Sequence, residues 1–262
     1  MGCRFGPGEP AWARRFHTET SRRDNSAVNH SIARYIDHSL LHPTLTDEAV
    51  RQGCQLAARL QVASVCVQPA AVPLAAEVLA DSPVAVGTVV GFPQGAHATA
   101  TKVFEAQLAC RQGAVELDMV IHVGKARGGD WDYVAQDIRE VVQAAHDRGA
   151  IVKVIFENDF LPSDEIKIRL CHICEEAGAD YVKTSTGFGF VKQPEGGYAY
   201  RGATEHDVKL MRAHCSPRVK IKAAGGIRSY EQARRFIQLG VDRIGASATE
   251  QIVAQEAQHH GG

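Results

Sequence analysis

The amino-acid sequence predicts one α/β domain whose strands close into a (β/α)8 barrel. The chain has 262 residues, of which 45% are hydrophobic and 23% are charged, and barrels of this class commonly reach about 250 residues as a single domain. Apolar runs typical of strands alternate with amphipathic segments from about residue 33 onward. No G-x-G-x-x-G motif follows an early strand, which disfavours a doubly wound dinucleotide-binding sheet.

The repeating unit is a helix that ends in glycine and continues directly into a short apolar run. Four glycines mark such junctions: Gly113, Gly149, Gly178 and Gly240. The runs that follow them, such as AIVKVIFE and ADYVKTS, are too short and too rich in β-forming residues to be helices. Glycine suits the left-handed position that commonly ends a helix. Strands that alternate with helices at this spacing form parallel βαβ units.

Eight strands follow from this pattern, and eight such units in one domain indicate a closed barrel. They are expected near residues 33–40, 63–68, 84–91, 115–122, 151–157, 180–185, 219–224 and 242–246.

The intervening segments have the periodicity of amphipathic helices. The clearest case has apolar residues at a period of 3.6, namely Val134, Ile138, Val141, Val142 and Ala145. Two helix starts resemble capping boxes, Ser229 with Gln232 and Thr204 with Asp207.

The two ends of the chain are expected to lie outside the barrel. Residues 1–30 contain five arginines and two prolines, show no periodicity and lack the apolar stretch of a secretory signal. A disordered extension is therefore expected there. The barrel is expected over residues 31–256, followed by a flexible tail over residues 257–262.

Composition excludes several classes of partner. A net charge of -1 and a pI near 6.9 disfavour nucleic acid and anionic membranes as partners, and no apolar run approaches the roughly 18 residues of a membrane helix.

Seven cysteines without disulfide-scaffold spacing favour a reduced, cytoplasmic compartment. Cys171 and Cys174 form one C-x-x-C, which could be a redox or zinc half-site, but helical spacing favours a buried helix face.

Charged residues near the ends of the predicted strands are the candidates for chemistry, since barrels of this kind carry their active sites at the C-terminal ends of the strands. Lys183, Lys222, Asp118 and Asp37 occupy such positions. A buried lysine is costly unless it is paired or neutral. The alternative is a lysine whose side chain reaches solvent at the rim of the barrel. This alternative suits Lys220 best, because Lys220 lies nearer the start of its strand.

Two lysines on adjacent strands have a chemical use. At its ordinary pKa a lysine is neutral in only roughly one molecule in 2,500 at pH 7, whereas an amine that attacks a carbonyl must be neutral. A second ammonium about 5 Å away disfavours the charged form, and burial adds to this effect. Lys183, Lys222 and Asp118 thus predict an amine nucleophile with partners for proton transfer.

Glycine-rich loops after the seventh and eighth strands predict a phosphate site. Gly225 and Gly226 precede the helix at Ser229, and Gly245 and Ser247 follow the last strand. Exposed backbone N–H groups in these two loops commonly bind phosphate in such barrels. Ordinary strand-end turns are the alternative.

Several segments together resemble the deoxyribose-phosphate aldolase family: YIDHSLLHP, ASVCVQP, VELDMVIHVG, ADYVKTSTGF, VKIKAAGGIR and RIGAS, in this order over about residues 33 to 252. The resemblance implies reversible cleavage of 2-deoxy-D-ribose 5-phosphate into D-glyceraldehyde 3-phosphate and acetaldehyde, without a metal or organic cofactor. Barrels of this size often form symmetric oligomers, so a homodimer or homotetramer is expected.

The resemblance assigns roles by position. Lys183 matches the Schiff-base lysine, Lys222 the lysine that perturbs it and transfers protons, and Asp118 an acid/base carboxylate acting through water. Asp37 matches a polar residue that supports the site. The positions near the substrate and its phosphate are Thr184, Gly187, Gly225, Gly226, Gly245 and Ser247.

The chain departs from the family pattern in three places. Phe188 stands where one bacterial version has a lysine near the phosphate, so Lys192 or Arg201 is expected to supply the charge. The loop over residues 188–202 is longer than in short-loop members, and both a lid and a subunit interface are open interpretations. The chain ends in QHHGG without the tyrosine that assists proton transfer in some members.

Three alternatives remain beside this interpretation. One is an aldolase of the same mechanism that uses a different or unphosphorylated acceptor aldehyde. Another is a catalytically idle barrel that binds sugar phosphates. A metal site at His38 and His42 is disfavoured, because residues four apart need not share a face where a strand ends in a turn.

Overall fold

The computed structural model describes residues 31–260. The extension predicted over residues 1–30 and the last two residues lie outside the described part. The strands are β1 (Ile36–Leu40), β2 (Ser64–Val67), β3 (Ala85–Val90), β4 (Glu116–Val120), β5 (Ile151–Ile155), β6 (Tyr181–Lys183), β7 (Val191–Lys192), β8 (Tyr198–Ala199), β9 (Lys220–Ala224) and β10 (Arg243–Ala246). The helices are α1 (Asp47–Leu60), α2 (Val72–Val78), α3 (Thr99–Arg111), α4 (Val123–Arg127), α5 (Trp131–His146), α6 (Asp164–Glu176), α7 (Glu205–His214), α8 (Tyr230–Gln238) and α9 (Thr249–His260).

Eight parallel strands form a closed barrel in the order β1-β10-β9-β6-β5-β4-β3-β2. The predicted fold class is therefore confirmed, and each of the eight predicted strands is present. The short strands β7 and β8 form a separate antiparallel hairpin within the long loop after β6. This hairpin was not predicted, because a two-residue strand leaves no periodic pattern.

The first strand begins later than the sequence predicts. Residues Ile32–Tyr35 form a 3₁₀ helix, not the start of a strand. The Ser31 hydroxyl caps this turn by accepting from the Ala33 N–H, and Glu256 of α9 accepts from the Ile32 N–H at 2.7 Å. These bonds satisfy backbone donors at the start of the turn, which makes the helical conformation favourable there.

The helices follow the predicted periodicity. On α5 the predicted apolar face is buried, and Gly113, Gly149, Gly178 and Gly240 all have positive φ after helix ends. Ser229 and Gln232 form a complete capping box. Thr204 also caps its helix, but the Asp207 carboxylate turns to the Thr204 hydroxyl and Lys167 instead of the cap backbone.

The register of the barrel places the charged residues at defined levels. Lys183 is paired with Lys222 across β6 and β9, and Lys222 is paired with Arg243 across β9 and β10. Asp118 is paired with Lys153 across β4 and β5. Neighbouring strands lie about 4.8 Å apart, so side chains on the inner face at these levels can reach one another.

Two further expectations can be compared with the structure. Cys171 and Cys174 are free thiols on the buried face of α6, which confirms the helix-face interpretation. The helix α9 continues to His260, so the tail predicted from residue 257 is helical over most of its length. Among residues 31–260, no helix is long and apolar enough to cross a membrane.

Candidate active site

A cavity of about 760 Å³ opens at the C-terminal ends of the barrel strands. Its polar floor includes Lys183, Lys222 and Asp37, all nearly fully buried. The surrounding loops contribute backbone and small side chains, and apolar residues from β1 and the loop after β6 form one wall. The location agrees with the expectation for barrels of this class.

Lys183, Lys222 and Asp118 meet as predicted. Each lysine Nζ lies 2.7 Å from the same oxygen, Oδ2 of Asp118. Lys222 also forms an ion pair with Oδ2 of Asp37 at 2.6 Å. Lys220, by contrast, is exposed near the start of β9, which confirms the rim position expected for it.

Three further charged residues complete a buried ion network, and sequence reasoning missed all of them. Lys153 lies 2.9 Å from Oδ1 of Asp118 and 2.7 Å from Oε2 of Glu116. Arg243 bonds to Asp37 and lies 2.9 Å from Oε1 of Glu116. Each lies within a strand that is otherwise mostly apolar. A search for charged residues inside predicted strands, at the parity of Asp118, would have found Glu116.

Burial and the neighbouring charges shift the pKa values of Lys183 and Lys222 in opposite directions. Burial lowers the pKa of Lys183, and the Lys222 ammonium lowers it further against the opposing effect of Asp118. Burial also acts on Lys222, but Asp118 and Asp37 outweigh it and raise its pKa. The sequence argument gave the second ammonium the larger effect on Lys183. In the structure, burial lowers the pKa of Lys183 more than the Lys222 ammonium does, because Lys183 is only 3% exposed.

Asp118 is held as a carboxylate. Burial opposes its charge, but Lys153, Lys183 and Lys222 hold its pKa well below the usual range. Its side chain lies beneath the two lysines and does not line the cavity. The group that faces the cavity at this point is therefore Lys222 and not the carboxylate.

The predicted glycine loops line the cavity as expected. Gly187, Gly225, Gly226, Gly245 and Ser247 all contribute to its wall. Gly225 has φ +93°, and a Cβ on Gly202 would lie 2.4 Å from the Gly225 carbonyl oxygen. The close approach of these two loops therefore requires glycine.

Thr184, which the resemblance places near the substrate, bonds to the backbone of the next strand. Its hydroxyl donates to the Ala224 carbonyl at 3.1 Å and accepts from the Ala224 N–H at the same distance. The side chain thus bridges the ends of β6 and β9 and does not line the cavity. Thr186, two residues later, lines the cavity instead.

Glu157 holds Thr186 in place, a contact that the sequence analysis did not predict. Its carboxylate accepts from the Thr186 N–H at 3.2 Å and from the Thr186 hydroxyl. Glu157 has a left-handed backbone, with φ 56°, and burial raises the pKa of its carboxyl group. The only signal would have been an acidic residue directly after an apolar strand.

The long loop contributes aromatic side chains to the cavity and not the expected cation. Phe188, Phe190 and Tyr200 line the wall, and the rings of Phe190 and Tyr200 pack edge to face with centroids 5.1 Å apart. Lys192 is exposed and does not line the cavity, and neither does Arg201.

The backbone of the long loop is tied to Asp159, which lies between β5 and α6. This carboxylate accepts from the N–H groups of Arg201 and Gly202 at 2.7 and 3.0 Å. Arg228, two residues after the glycine pair, supplies a cation at the rim, and its side chain is exposed. Sequence reasoning missed it, although it closes the quoted segment VKIKAAGGIR.

The histidines considered for a metal form other bonds. His38 bonds to Thr249 and His42 to Thr44, each at 2.8 Å. Within residues 31–260, one group could bring three ligand atoms within 4.8 Å of one another, formed by Asp164, His206 and Asp207. The Lys167 ammonium already lies 2.6 Å from Asp207 and 3.3 Å from Asp164, so a cation is present there.

Comparison with known proteins identifies the family. The family described as "DeoC/LacD family aldolase" matches residues 31–252, a span that contains the whole barrel and each of the charged residues above. The chain belongs to this aldolase family. Its barrel is therefore that of an aldolase.

Individual relatives agree with this assignment. The chain is 49% identical to the deoxyribose-phosphate aldolase of Thermococcus gammatolerans over 86% of this chain and 96% of that protein. It is 48% identical to that of Caldanaerobacter subterraneus over 89% of this chain and 96% of that protein. The solved tetrameric deoxyribose phosphate aldolase of Aeropyrum pernix is 30% identical, with a TM-score of 0.77, covering 87% of this chain and 92% of the other.

Proposed function

We propose that this protein is a class I deoxyribose-phosphate aldolase that forms a Schiff base through Lys183. It cleaves 2-deoxy-D-ribose 5-phosphate reversibly to D-glyceraldehyde 3-phosphate and acetaldehyde. The observation that carries the proposal is a buried lysine of lowered pKa that faces the cavity and shares one carboxylate with a second lysine. The similar proteins named above support the choice of substrate.

The ion pairs indicate why Lys183 and not Lys222 is the nucleophile. Lys183 has one carboxylate partner, Asp118. Lys222 has two, Asp118 and Asp37, and Lys153 has those two together with Glu116. The ammonium form of Lys183 is therefore the least stabilised of the three, so Lys183 is the lysine that most readily supplies a neutral amine.

The reaction uses this amine as an electron sink. The Lys183 nitrogen attacks C1 of the open-chain sugar, and loss of water leaves an iminium ion. The C2–C3 bond then breaks, its electron pair moves to the iminium as an enamine, and the C3 hydroxyl loses its proton to a base. Glyceraldehyde 3-phosphate departs, the enamine takes a proton at C2, and hydrolysis releases acetaldehyde and the free amine.

Lys222 is the proton carrier at the cavity surface in this proposal. Its Nζ faces the cavity and bonds to both Asp118 and Asp37. Asp118 remains a carboxylate and holds the two lysines in position, and protons pass between Lys222, water and the substrate.

The phosphate end of the substrate fits the glycine loops. Backbone N–H groups near Gly225, Gly226, Gly245 and Ser247 border the cavity, and Arg228 supplies a cation at its rim. A phosphate dianion is favoured by such donors, and a guanidinium can bind it with two hydrogen bonds. Arg228 takes the part that the sequence analysis assigned to Lys192 or Arg201.

One observation favours a second candidate acceptor. Phe188, Phe92 and Leu41 form an apolar cluster beside the cavity, with the two phenylalanine rings 5.5 Å apart. An unphosphorylated or more apolar aldehyde would bury surface against this wall. The aldolase mechanism is the same for both candidates, and only the acceptor differs. A catalytically idle barrel has no such support, because it has no need of a lysine with a lowered pKa.

The proposal extends to the assembly and the location of the protein. The Aeropyrum pernix relative is tetrameric, and we propose a homo-oligomer for this chain, either a dimer or a tetramer. Cytoplasmic residence accords with the six free cysteines among the described residues.

A cleavage assay tests the substrate. Glyceraldehyde 3-phosphate or glyceraldehyde release is measured with deoxyribose 5-phosphate and with deoxyribose, using Lys183→Met as the control. We expect kcat/KM to favour the phosphorylated sugar by at least about tenfold, because a charge-assisted hydrogen bond contributes more than 1.4 kcal/mol. Equal values would favour the unphosphorylated acceptor. No cleavage of either sugar would favour the idle barrel.

A further inference from the structure

Glu116 and Arg243 belong to the part of the ion network that does not line the cavity. Arg243 donates to Asp37 and, at 2.9 Å, to Glu116, and Glu116 also accepts from Lys153 at 2.7 Å. The Glu116 side chain is 5% exposed and that of Arg243 is 16% exposed. Because neither borders the cavity, neither can touch a substrate bound to Lys183.

The charges of the network balance in only one state of Lys183. Three carboxylates face three cations other than Lys183, and all six keep the charged form: Asp37, Glu116, Asp118, Lys153, Lys222 and Arg243. A proton on Lys183 would therefore leave one unbalanced positive charge in a buried cluster. Low-dielectric surroundings make that excess unfavourable.

We propose that Glu116 and Arg243 are positioning residues that set the pH at which Lys183 becomes reactive, by fixing the charge of the network beneath it. The inference rests on the proposed function, because it takes Lys183 as the attacking amine. It goes beyond that function in assigning control of the nucleophile to two residues that cannot contact the substrate. The effect is indirect, since Arg243 acts on Asp37 and Glu116, and these act on Lys222 and Lys153.

The other charged or titratable groups near Lys183 are accounted for. Asp118 of β4 and Lys222 of β9 are its direct neighbours in the network. Cys66 of β2 lines the cavity, and burial raises the pKa of its thiol to about 11, so it remains neutral near pH 7. Glu157, after β5, is bonded to Thr186. The hydrogen bonds of Glu116 and Arg243 go to Lys153, Asp37 and each other, so their substitution leaves the surroundings of Cys66 and Glu157 in place.

The sign of the effect separates this role from a purely structural one. The rate of imine formation rises with pH as the Lys183 ammonium loses its proton. Loss of the Arg243 cation makes the network more negative, stabilises the ammonium and moves the midpoint to higher pH. Loss of the Glu116 carboxylate acts in the opposite direction. If the two residues only held strands together, their substitution would lower the rate but would not move the pH midpoint in opposite directions.

The experiment measures the pH midpoint of Lys183 modification by acetaldehyde and cyanoborohydride, with the adduct located by peptide mass. The proteins are the full-length chain and its variants Glu116→Gln, Arg243→Gln and Glu116→Gln/Arg243→Gln. We expect midpoints about one pH unit lower for Glu116→Gln and about one unit higher for Arg243→Gln. The double variant restores the charge balance, so its midpoint should return close to that of the unsubstituted protein. Glu116→Asp and Arg243→Lys keep the charge and should keep the midpoint.

The outcomes are distinguishable. Midpoints that move in the same direction, or that stay in place in variants with native circular dichroism, would overturn the inference while leaving the aldolase intact. Absence of an adduct at Lys183 in the unsubstituted protein would instead overturn the proposed function. If Arg243→Gln alone does not fold, Glu116→Gln must lower the midpoint and the double variant must raise it again, or the inference fails.

Discussion

The floor and the rim of the cavity are built from different parts of the chain. At the floor, Lys183 and Lys222 project from barrel strands, and the Nζ of each lies 2.7 Å from the carboxylate of Asp118 beneath them. The rim consists of loop residues such as Gly225, Ser247 and Arg228, which offer backbone groups and one exposed cation. The floor is held by strand register and by shared ion pairs, whereas each rim contact is separate from the others.

This difference determines how each region responds to substitution. A charge removed from the floor leaves other buried charges without partners, and such losses are large and not additive. A contact removed at the rim is replaced by water, because the loops border solvent, so its loss is moderate and specific to the phosphate. Substitutions in the two regions should therefore differ in size and also in which kinetic constant they change.

The largest effect after loss of Lys183 itself is expected at Lys222. Lys222→Leu removes a proton-transfer group that lines the cavity and a like charge that lowers the pKa of Lys183. We expect kcat to fall at least about 100-fold, in line with general acid–base contributions. The pH midpoint of imine formation should also rise, because the remaining Asp118 carboxylate favours the Lys183 ammonium. Near-full turnover with an unchanged pH profile would contradict the role of the floor.

A smaller and more selective effect is expected at the rim. Arg228→Ala should raise KM for deoxyribose 5-phosphate by about tenfold, since a hydrogen bond to a charged group contributes about 1.5–3 kcal/mol. The KM for deoxyribose should barely change. Lys192→Ala and Arg201→Ala are matched controls, because both residues are exposed cations that do not line the cavity. A larger KM increase for either control would indicate that the long loop supplies the cation that binds the phosphate.

The smallest effect is expected where the sequence placed a substrate contact and the structure places a bridge between strands. Thr184→Val keeps the shape but removes the hydroxyl that bonds the backbone of Ala224. We expect a loss of about 1–3 kcal/mol in the free energy of unfolding, measured by urea denaturation. The KM for deoxyribose 5-phosphate should remain within about twofold of the unsubstituted value. An unchanged unfolding free energy with a raised KM would indicate that Thr184 contacts the substrate after all.

The strand-borne half of the site could largely be predicted from the sequence. Lys183, Lys222 and Asp118 stand out because a charged residue in an apolar run is unusual, and the barrel prediction brings the strand ends together. Lys153, Glu116 and Arg243 obey the same rule but lie deeper in the barrel. They were missed because only the last positions of each strand were considered as candidates.

The loop-borne half could be predicted only in outline. The glycines that line the cavity were correctly selected, since their spacing marks the loops. The direction of an individual side chain in a loop depends on contacts distant in the sequence. The Arg201 side chain lies 3.7 Å from Asp159, 42 positions away in the chain, and no local pattern contains that pairing. The same reason explains why Arg228 and Thr186, and not Lys192 and Thr184, border the cavity.

The most direct test of the central claim is the position of the covalent adduct. Incubation with acetaldehyde and borohydride, followed by peptide mass spectrometry, should locate a single ethyl group on Lys183, because it is the cavity-lining lysine with one carboxylate partner. Lys183→Met should carry no adduct and should fail to cleave deoxyribose 5-phosphate. An ethyl group on Lys222 or Lys153, or full activity in Lys183→Met, would contradict the assignment of the nucleophile.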